Sequence, residues 1–379
     1  MSQLFEPFDL RGLSLKNRIA MAPLTRSRSP DEEPLEFTAQ YYAQRAGAGL
    51  IVSEGAPISE MGRGNLFTPG LFRQSQVDAW RKVTNAVHAA GGTIFAQLWH
   101  VGRVSHSSLY PENAAPVSAS ARRANGAKAY AWTEESTPGF VQSSMPRALQ
   151  TAEVSVVAQE YAQAAAHAIT AGFDGVEIHG ANGYLIDQFL NPLVNDRKDS
   201  YTGSTIEGRT RFALEVVDAV CERIGRERTA IRLSPYGQAF DMPLFEDIDE
   251  TFKALAVELS KRGIAYVHLM DHPRANLGLA PIEASPSAFD DLRAQMRQLL
   301  PGTPLMLAGN MTAERANALL EEGEIDMAAF GRLFIPNPDL VERLRNHWPL
   351  ATPDPSTFYG GGAAGYIDFP TFSERAAKR

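Results

Sequence analysis

Between Phe173 and Tyr184 the chain reads Phe-Asp-Gly-Val-Glu-Ile-His-Gly-Ala-Asn-Gly-Tyr, an apolar run that delivers His179, Asn182 and Tyr184 within six positions. An imidazole and a carboxamide offer two neutral hydrogen-bond donors to a substrate oxygen, and a phenol can move a proton. The competing reading is local, because polar side chains at the end of a strand often only cap backbone groups.

Other stretches of the same kind recur along the chain. Apolar runs end in Pro23-Leu24-Thr25-Arg26, Glu54-Gly55-Ala56, Gln97-Leu98-Trp99-His100, Arg232, Gly309-Asn310 and Gly331-Arg332. Gln97 can donate and accept in one plane, which suits the imide-like edge of a heteroaromatic ring. Arg232 is a permanent cation inside a strand; burying it calls for an anionic partner, and it could stabilise an anion forming on such a ring. Gly309 and Gly331 permit close backbone approach, and Arg332 adds a fork-shaped cation, so the last two stretches point to a phosphorylated ligand. A pair of tight turns with a surface Arg is the plainer alternative.

The elements that must position these groups alternate from end to end. Strand patterns fall at 18–24, 50–54, 93–98, 175–179, 229–233, 266–270, 304–308 and 327–330. Helical patterns follow at 36–48, 76–90, 153–171, 206–224, 249–262, 286–299, 312–322 and 338–347. Eight such pairs predict a closed (β/α)8 TIM barrel, with a doubly wound open sheet as the rival. Reactive groups in a barrel gather at the C-terminal ends of its strands, where all the stretches above lie. A barrel needs roughly 250 residues, so the rest of this single 1–379 domain is insertion and tail. The Ser-, Pro-, Ala- and Arg-rich segment at about 102–150 leaves the third strand and should overhang the active face, and residues 350–379 form a C-terminal extension.

Composition narrows the function. The chain has 379 residues, 44% hydrophobic and 21% charged, with a formal net charge of −8 that argues against nucleic acid as a partner. No apolar run approaches the roughly 20 residues of a membrane span, and the start Met1-Ser-Gln-Leu-Phe-Glu-Pro-Phe lacks a secretory signal, so a cytoplasmic location and no membrane partner are expected. The single cysteine, Cys221, is a packing residue in a helical pattern. Gly360-Gly-Gly362-Ala-Ala-Gly365 fits the dinucleotide fingerprint as a string, but it neither follows a strand nor opens a helix. His100, His106, Asp271 and His272 lack compact ligand spacing, so no metal is expected. Asn310-Met-Thr312 reads as turn chemistry rather than a glycosylation site.

Taken together, the motifs resemble the old yellow enzyme family of FMN-dependent ene-reductases, near the bacterial N-ethylmaleimide, nitrate-ester and xenobiotic reductases. The resemblance covers nearly the whole chain. It rests on Asn17-Arg18 to Arg26, Gln97-Leu-Trp-His-Val-Gly-Arg103, Asp174-Gly-Val-Glu-Ile-His179, Asn182-Gly-Tyr184, Arg232-Leu-Ser-Pro235, Phe330-Gly-Arg332, Thr357-Phe-Tyr359-Gly-Gly and Gly365-Tyr-Ile-Asp-Phe-Pro370. It implies noncovalent FMN and NADPH or NADH as reductant. Pro23, Leu24 and Thr25 would face the flavin edge, with Gly55 beside them and Gln97 on the pyrimidine edge. Arg232 would stabilise the anionic reduced flavin, and Gly309, Asn310, Gly331 and Arg332 would hold the phosphate. His179 and Asn182 would grip a carbonyl or nitro oxygen, Tyr184 would protonate the α carbon, and Trp99 and Tyr359 would complete the substrate site. The implied substrates are electrophilic alkenes (enones, enals, maleimides and nitroalkenes, with nitrate esters as a further class), reduced by ping-pong hydride transfer in a monomer or homodimer.

Departures from the family pattern bear on substrate scope. Where relatives usually carry a Tyr after the second strand, this chain has Asn65, so one aromatic wall is missing or replaced by Phe67. Thr25 rather than a cysteine places the chain with the Thr-type members. The alternative from another class is a flavin-free barrel that isomerises or binds a phosphorylated metabolite.

Overall fold

The short apolar runs become eight parallel strands that pair in sequence order and close on themselves, the eighth (β8) hydrogen-bonding to the first (β1) through Ala329 and Ala20. The computed structural model describes residues 2–271 and 287–377. His272 lies outside the described residues.

The strands are β1 (Ile19–Met21), β2 (Leu50–Pro57), β3 (Ile94–Trp99), β4 (Gly175–Gly180), β5 (Thr229–Leu233), β6 (Val267–Met270), β7 (Leu305–Ala308) and β8 (Met327–Phe330). Both faces of these strands are covered, which is why they read as unbroken apolar runs and not as an alternating pattern. The helices that cover the barrel are α1 (Glu36–Ala43), α2 (Gln74–Ala89), α3 (Thr151–Thr170), α4 (Ile206–Ile224), α5 (Ile248–Arg262), α6 (Ser287–Leu299), α7 (Ala313–Glu321) and α8 (Leu340–Arg345), with short helices at Leu185–Leu190 and Phe372–Ala377 besides.

Helix α4 illustrates how the sequence sets an element. The Thr205 hydroxyl accepts the Gly208 N–H at 3.1 Å and starts it. Phe212, Ala213, Val216, Val217 and Val220 recur at helical spacing and are buried. Each large apolar side chain so buried contributes roughly 1.5–3 kcal/mol. Gly225, at φ 92°, ends the helix. Val216→Asp would place an unpaired charge in that seam and break it.

Helix α1 stops at Ala43, short of the expected 48, because Arg45 turns inward. Its buried guanidinium donates to the carbonyls of Phe334 at 2.9 Å, Ile335 at 2.8 Å and Tyr41 at 2.8 Å.

Two features carry no pattern in the sequence. An antiparallel pair, Phe8–Leu10 with Leu13–Leu15, seals the N-terminal end of the barrel: Leu10 and Leu15 are buried with Leu50, Phe95, Met306 and Met327. The segment after β3 also holds more order than its composition suggests. Val117–Ser118 pairs with Arg147–Ala148, and Lys128–Trp132 forms a hairpin with Pro138–Gln142. The hairpin is joined to the loop after β2 through Asn65, whose side-chain oxygen accepts the Tyr130 N–H at 3.0 Å.

Candidate active site

Three adjoining cavities open at the C-terminal ends of the strands, and together they are lined by all fifteen residues expected from the sequence. An inner pocket of about 90 Å³ is lined by Pro23, Thr25, Gly55, Gln97, Trp99, His179, Asn182, Tyr184 and Arg232. Pro23, Asn182 and Arg232 are shared with a trough of about 470 Å³ that runs past Leu24, Gly309, Asn310, Gly331 and Arg332. Thr25 and Tyr184 are shared with an outer chamber of about 260 Å³ that Tyr359 also lines.

The candidate catalytic loop is built from β4 and the turn after it. Ala181 N–H donates to His179 Nδ1 at 3.3 Å, so the neutral ring carries its proton on Nε2. Asn182 Nδ2 lies 3.4 Å from that Nε2, which sets two donors side by side. Burial, reinforced by the nearby Arg232 charge, lowers the His179 pKa to about 3, so the ring stays neutral at working pH. Asn182 sits at φ 59°, a strained conformation for a non-glycine residue. It is held there by its N–H, which donates to the Ser234 hydroxyl at 2.7 Å, while Gly183 N–H donates to Asp187 Oδ2 at 2.8 Å.

Tyr184 meets Trp99 edge-on at 5.1 Å and His179 at 4.9 Å between ring centres. Burial, with Tyr359 nearby, pushes its phenol well above the ordinary value, so it remains a proton donor. Sequence reasoning missed Ser234 and Asp187. Asp187 stands three residues into the turn that opens the short helix Leu185–Leu190, the position from which an acid accepts helix-start N–H groups, and that spacing was the available signal.

Gln97 and Arg232 form the floor. Gln97 Nε2 donates to Glu177 Oε1 at 2.9 Å, and Arg232 Nη2 contacts the Met270 sulfur at 3.2 Å. Arg232 Nε is buried with no hydrogen-bond partner among the described residues. Gly55 lines the same pocket, and its lack of a side chain serves packing: a Cβ there would lie 2.9 Å from the Trp99 ring.

At the far end of the trough Gly309 has φ 117°, and a Cβ would lie 2.2 Å from the Asp271 carbonyl oxygen, so only glycine fits. Gly331 is less constrained, its nearest atom being Leu24 Cδ2 at 3.6 Å. Arg332 is exposed, and its guanidinium has no hydrogen-bond or ion-pair partner among the described residues.

The outer chamber answers the question posed by Asn65. Phe67 faces the groove beyond the hairpin, while Asn65, Tyr130, Phe140, Phe240 and Lys128 line the chamber. The aromatic wall is therefore rebuilt from the hairpin, by Tyr130 and Phe140, and not by Phe67. The Gly360–Gly362 run is a turn of the C-terminal tail: Gly360 and Gly361 have φ 68° and 78°, and Gly362 O accepts from Arg28 Nε at 3.1 Å. His100 is a buried structural residue whose pKa burial lowers to about 3; its Nδ1 accepts the Gly102 N–H at 3.1 Å.

Comparison with known proteins bears on this arrangement. The family described as NADH:flavin oxidoreductase / NADH oxidase matches residues 3–351. The chain is 41% identical over 379 residues to a putative 12-oxophytodienoate reductase 11 of Oryza sativa subsp. japonica, covering 97% of each. Morphinone reductase, solved in complex with tetrahydroNAD, superposes with a TM-score of 0.91 at 46% identity, with 98% of each chain covered. The old yellow enzyme homologue from Zymomonas mobilis superposes with a TM-score of 0.89 at 39% identity, covering 98% of this chain and 100% of that one.

Proposed function

The chain belongs to the NADH:flavin oxidoreductase / NADH oxidase family as an NAD(P)H-dependent, FMN-using ene-reductase of the old yellow enzyme type, and from that premise we propose how its residues share the work. The site fits the cofactor: the inner pocket holds the planar donor–acceptor amide of Gln97 and adjoins a trough that reaches Arg332, and Arg232, which lines both, has a side-chain nitrogen with no hydrogen-bond partner among the described residues. Gln97 and Arg232 would hold the pyrimidine edge of noncovalently bound FMN, Pro23, Leu24, Thr25 and Gly55 would lie along its ring, and Gly309, Asn310, Gly331 and Arg332 would take its single phosphate. When bound, FMN supplies a hydride relay from NAD(P)H to the β carbon of an electrophilic alkene, in two half-reactions that give ping-pong kinetics.

The chain's own groups do the rest. His179 Nε2–H and the Asn182 amide bind the carbonyl or nitro oxygen and stabilise the negative charge that grows on it, needing no prior ionisation because both are neutral. Tyr184 delivers its proton to the α carbon; a phenol is a sufficient acid because an enolate-like carbon is far more basic. Trp99 and Tyr359 bound the substrate, and the hairpin aromatics confine it from above. Enones, enals, maleimides and nitroalkenes meet these requirements, and nitrate esters present an oxygen to the same donors.

The observation that carries this reading is the pair of neutral donors 3.4 Å apart, with the Tyr184 phenol packed against the same imidazole. A para-substituted phenol tests it. Its phenolate should occupy the paired donors and give a long-wavelength charge-transfer band with the holoenzyme. The band and the affinity should both collapse in His179→Ala, Asn182→Ala; an unchanged band in that double variant counts against the assignment.

A further inference from the structure

Below the pocket floor lies a carboxylate that the chemistry above does not use. Glu177 is fully buried in β4, two positions before His179, so the same face of the strand presents His179 to the pocket and Glu177 one layer deeper in the barrel. The strand register brings its partners to it. Gln97 of β3 stands opposite Glu177, Arg232 of β5 opposite His179, and His268 of β6 opposite Arg232. Glu177 Oε1 accepts from Gln97 Nε2 at 2.9 Å, while Oε2 accepts from Tyr266 OH at 3.0 Å and His268 Nδ1 at 2.8 Å. Gln97, Tyr266 and His268 are themselves buried, so this is a converged network in the barrel core.

A buried charge is tolerated only when paired and hydrogen-bonded. Burial drives the Glu177 pKa upward, but His268, Arg232 and Gln97 outweigh it and hold it below the usual value, so the group is an anion. An ionised carboxylate only accepts hydrogen bonds. It can therefore take only the N–H side of the Gln97 amide, which removes the flipped orientation and leaves the Gln97 oxygen and second N–H for a ligand.

We propose that Glu177 is a positioning residue that fixes the Gln97 amide for the FMN pyrimidine edge and offsets part of the Arg232 charge there, so that it sets both cofactor affinity and cofactor potential. The proposal rests on the placement of FMN given above. Reduction adds negative charge near Arg232, so an anion behind that cation opposes reduction, and neutralising the anion favours it.

The test uses full-length apoprotein titrated with FMN by fluorescence quenching, and spectroelectrochemical potentials of the reconstituted protein. Glu177→Gln should weaken FMN binding about tenfold and raise the midpoint potential by about 30 mV, the two-electron equivalent of a tenfold preference for the reduced form. Tyr266→Phe keeps the ring but removes one donor from the carboxylate, leaving its charge less compensated. It should shift the potential in the opposite direction, which a merely structural role gives no reason to expect. Tyr266→Phe also stands alone if Glu177→Gln fails to fold. In the Gln97→Ala background the Glu177→Gln loss of FMN affinity should largely vanish, because the two act on one contact. FMN binding within twofold of wild type and an unmoved potential in Glu177→Gln overturn the proposal, as does an unmoved potential in Tyr266→Phe. The placement of FMN fails separately if Gln97→Ala leaves FMN affinity intact.

Discussion

At the scale of single residues, burial keeps the acids and donors of the proposed site in one protonation state. His179 is neutral because burial and Arg232 disfavour its charged form, and Tyr184 is protonated because burial disfavours the phenolate. Tyr184→Phe removes a proton donor and leaves the His179 and Asn182 donors in place. It should leave reduction by NAD(P)H nearly intact in stopped-flow experiments while slowing simple enone turnover by roughly 10²- to 10⁴-fold, the scale of a missing general acid. Nitroalkenes should suffer less, since the nitronate is stable enough to be protonated by solvent. Equal slowing of both half-reactions would make Tyr184 a binding residue instead.

At the scale of elements, the barrel supplies a rigid floor and the irregular segments supply the walls. The C-terminal tail is fastened over the mouth by Arg26, which is fully buried. Its Nε donates to Phe358 O at 2.9 Å and its Nη2 to Thr357 O at 3.1 Å and Gly365 O at 3.0 Å. The guanidinium also lies 5.0 Å from the centre of the Tyr366 ring, which stacks on Tyr41 at 4.0 Å. Arg28 also donates to the Thr357 carbonyl at 3.0 Å and the Phe358 carbonyl at 3.3 Å, so Arg26→Met leaves the Gly365 carbonyl without its donor at a cost of roughly 1–3 kcal/mol and should loosen the tail and withdraw Tyr359 from the outer chamber. Limited proteolysis should then cut within 350–370 several-fold faster, and the enone KM should rise more than kcat falls. Unchanged cleavage would mean that Arg28 and the stacking of Tyr366 on Tyr41 hold the tail without Arg26.

At the scale of the whole molecule, buried ionisable groups tie stability to pH. Burial raises Asp187 to about 7 against the opposing pull of the Gly183 N–H, the Ser234 hydroxyl and Arg103. The folded chain therefore keeps a proton that the unfolded chain, with its ordinary value of 3.8, releases earlier. Its stabilising contribution is full below 3.8 and is lost as pH rises through about 7. Wild-type protein should accordingly lose more Tm between pH 5 and pH 8 than Asp187→Asn. Glu54, raised by burial to about 7, acts in the same sense, and His179, lowered to about 3, acts in the opposite one. Both persist in the variant, so the difference between the two slopes belongs to Asp187, and identical slopes would refute its titration in this range.

The sequence by itself determined the parts governed by local pattern. Eight apolar runs and the helices between them were legible because strand and helix periods are short-range, and the polar residues closing each run were legible because a parallel barrel gathers strand ends on one face. What only the tertiary structure decided depends on register and on contacts between distant segments. Glu177 reads as one polar residue in an apolar strand until pairing sets Gln97 opposite it and Tyr266 and His268 beside it. Asn65 reads as a lost aromatic until its bridge to Tyr130 shows the hairpin rebuilding the wall. The 102–150 segment shows no clear period because its strands are only two to five residues long and the face that Lys128–Trp132 buries consists of two alanines, Ala129 and Ala131. The glycine run after Tyr359 is a tail turn because Arg26 and Arg28, more than 300 residues away in the chain, donate to its carbonyls. Such contacts leave no periodicity in the sequence, since each is made between groups that meet only after the barrel has closed.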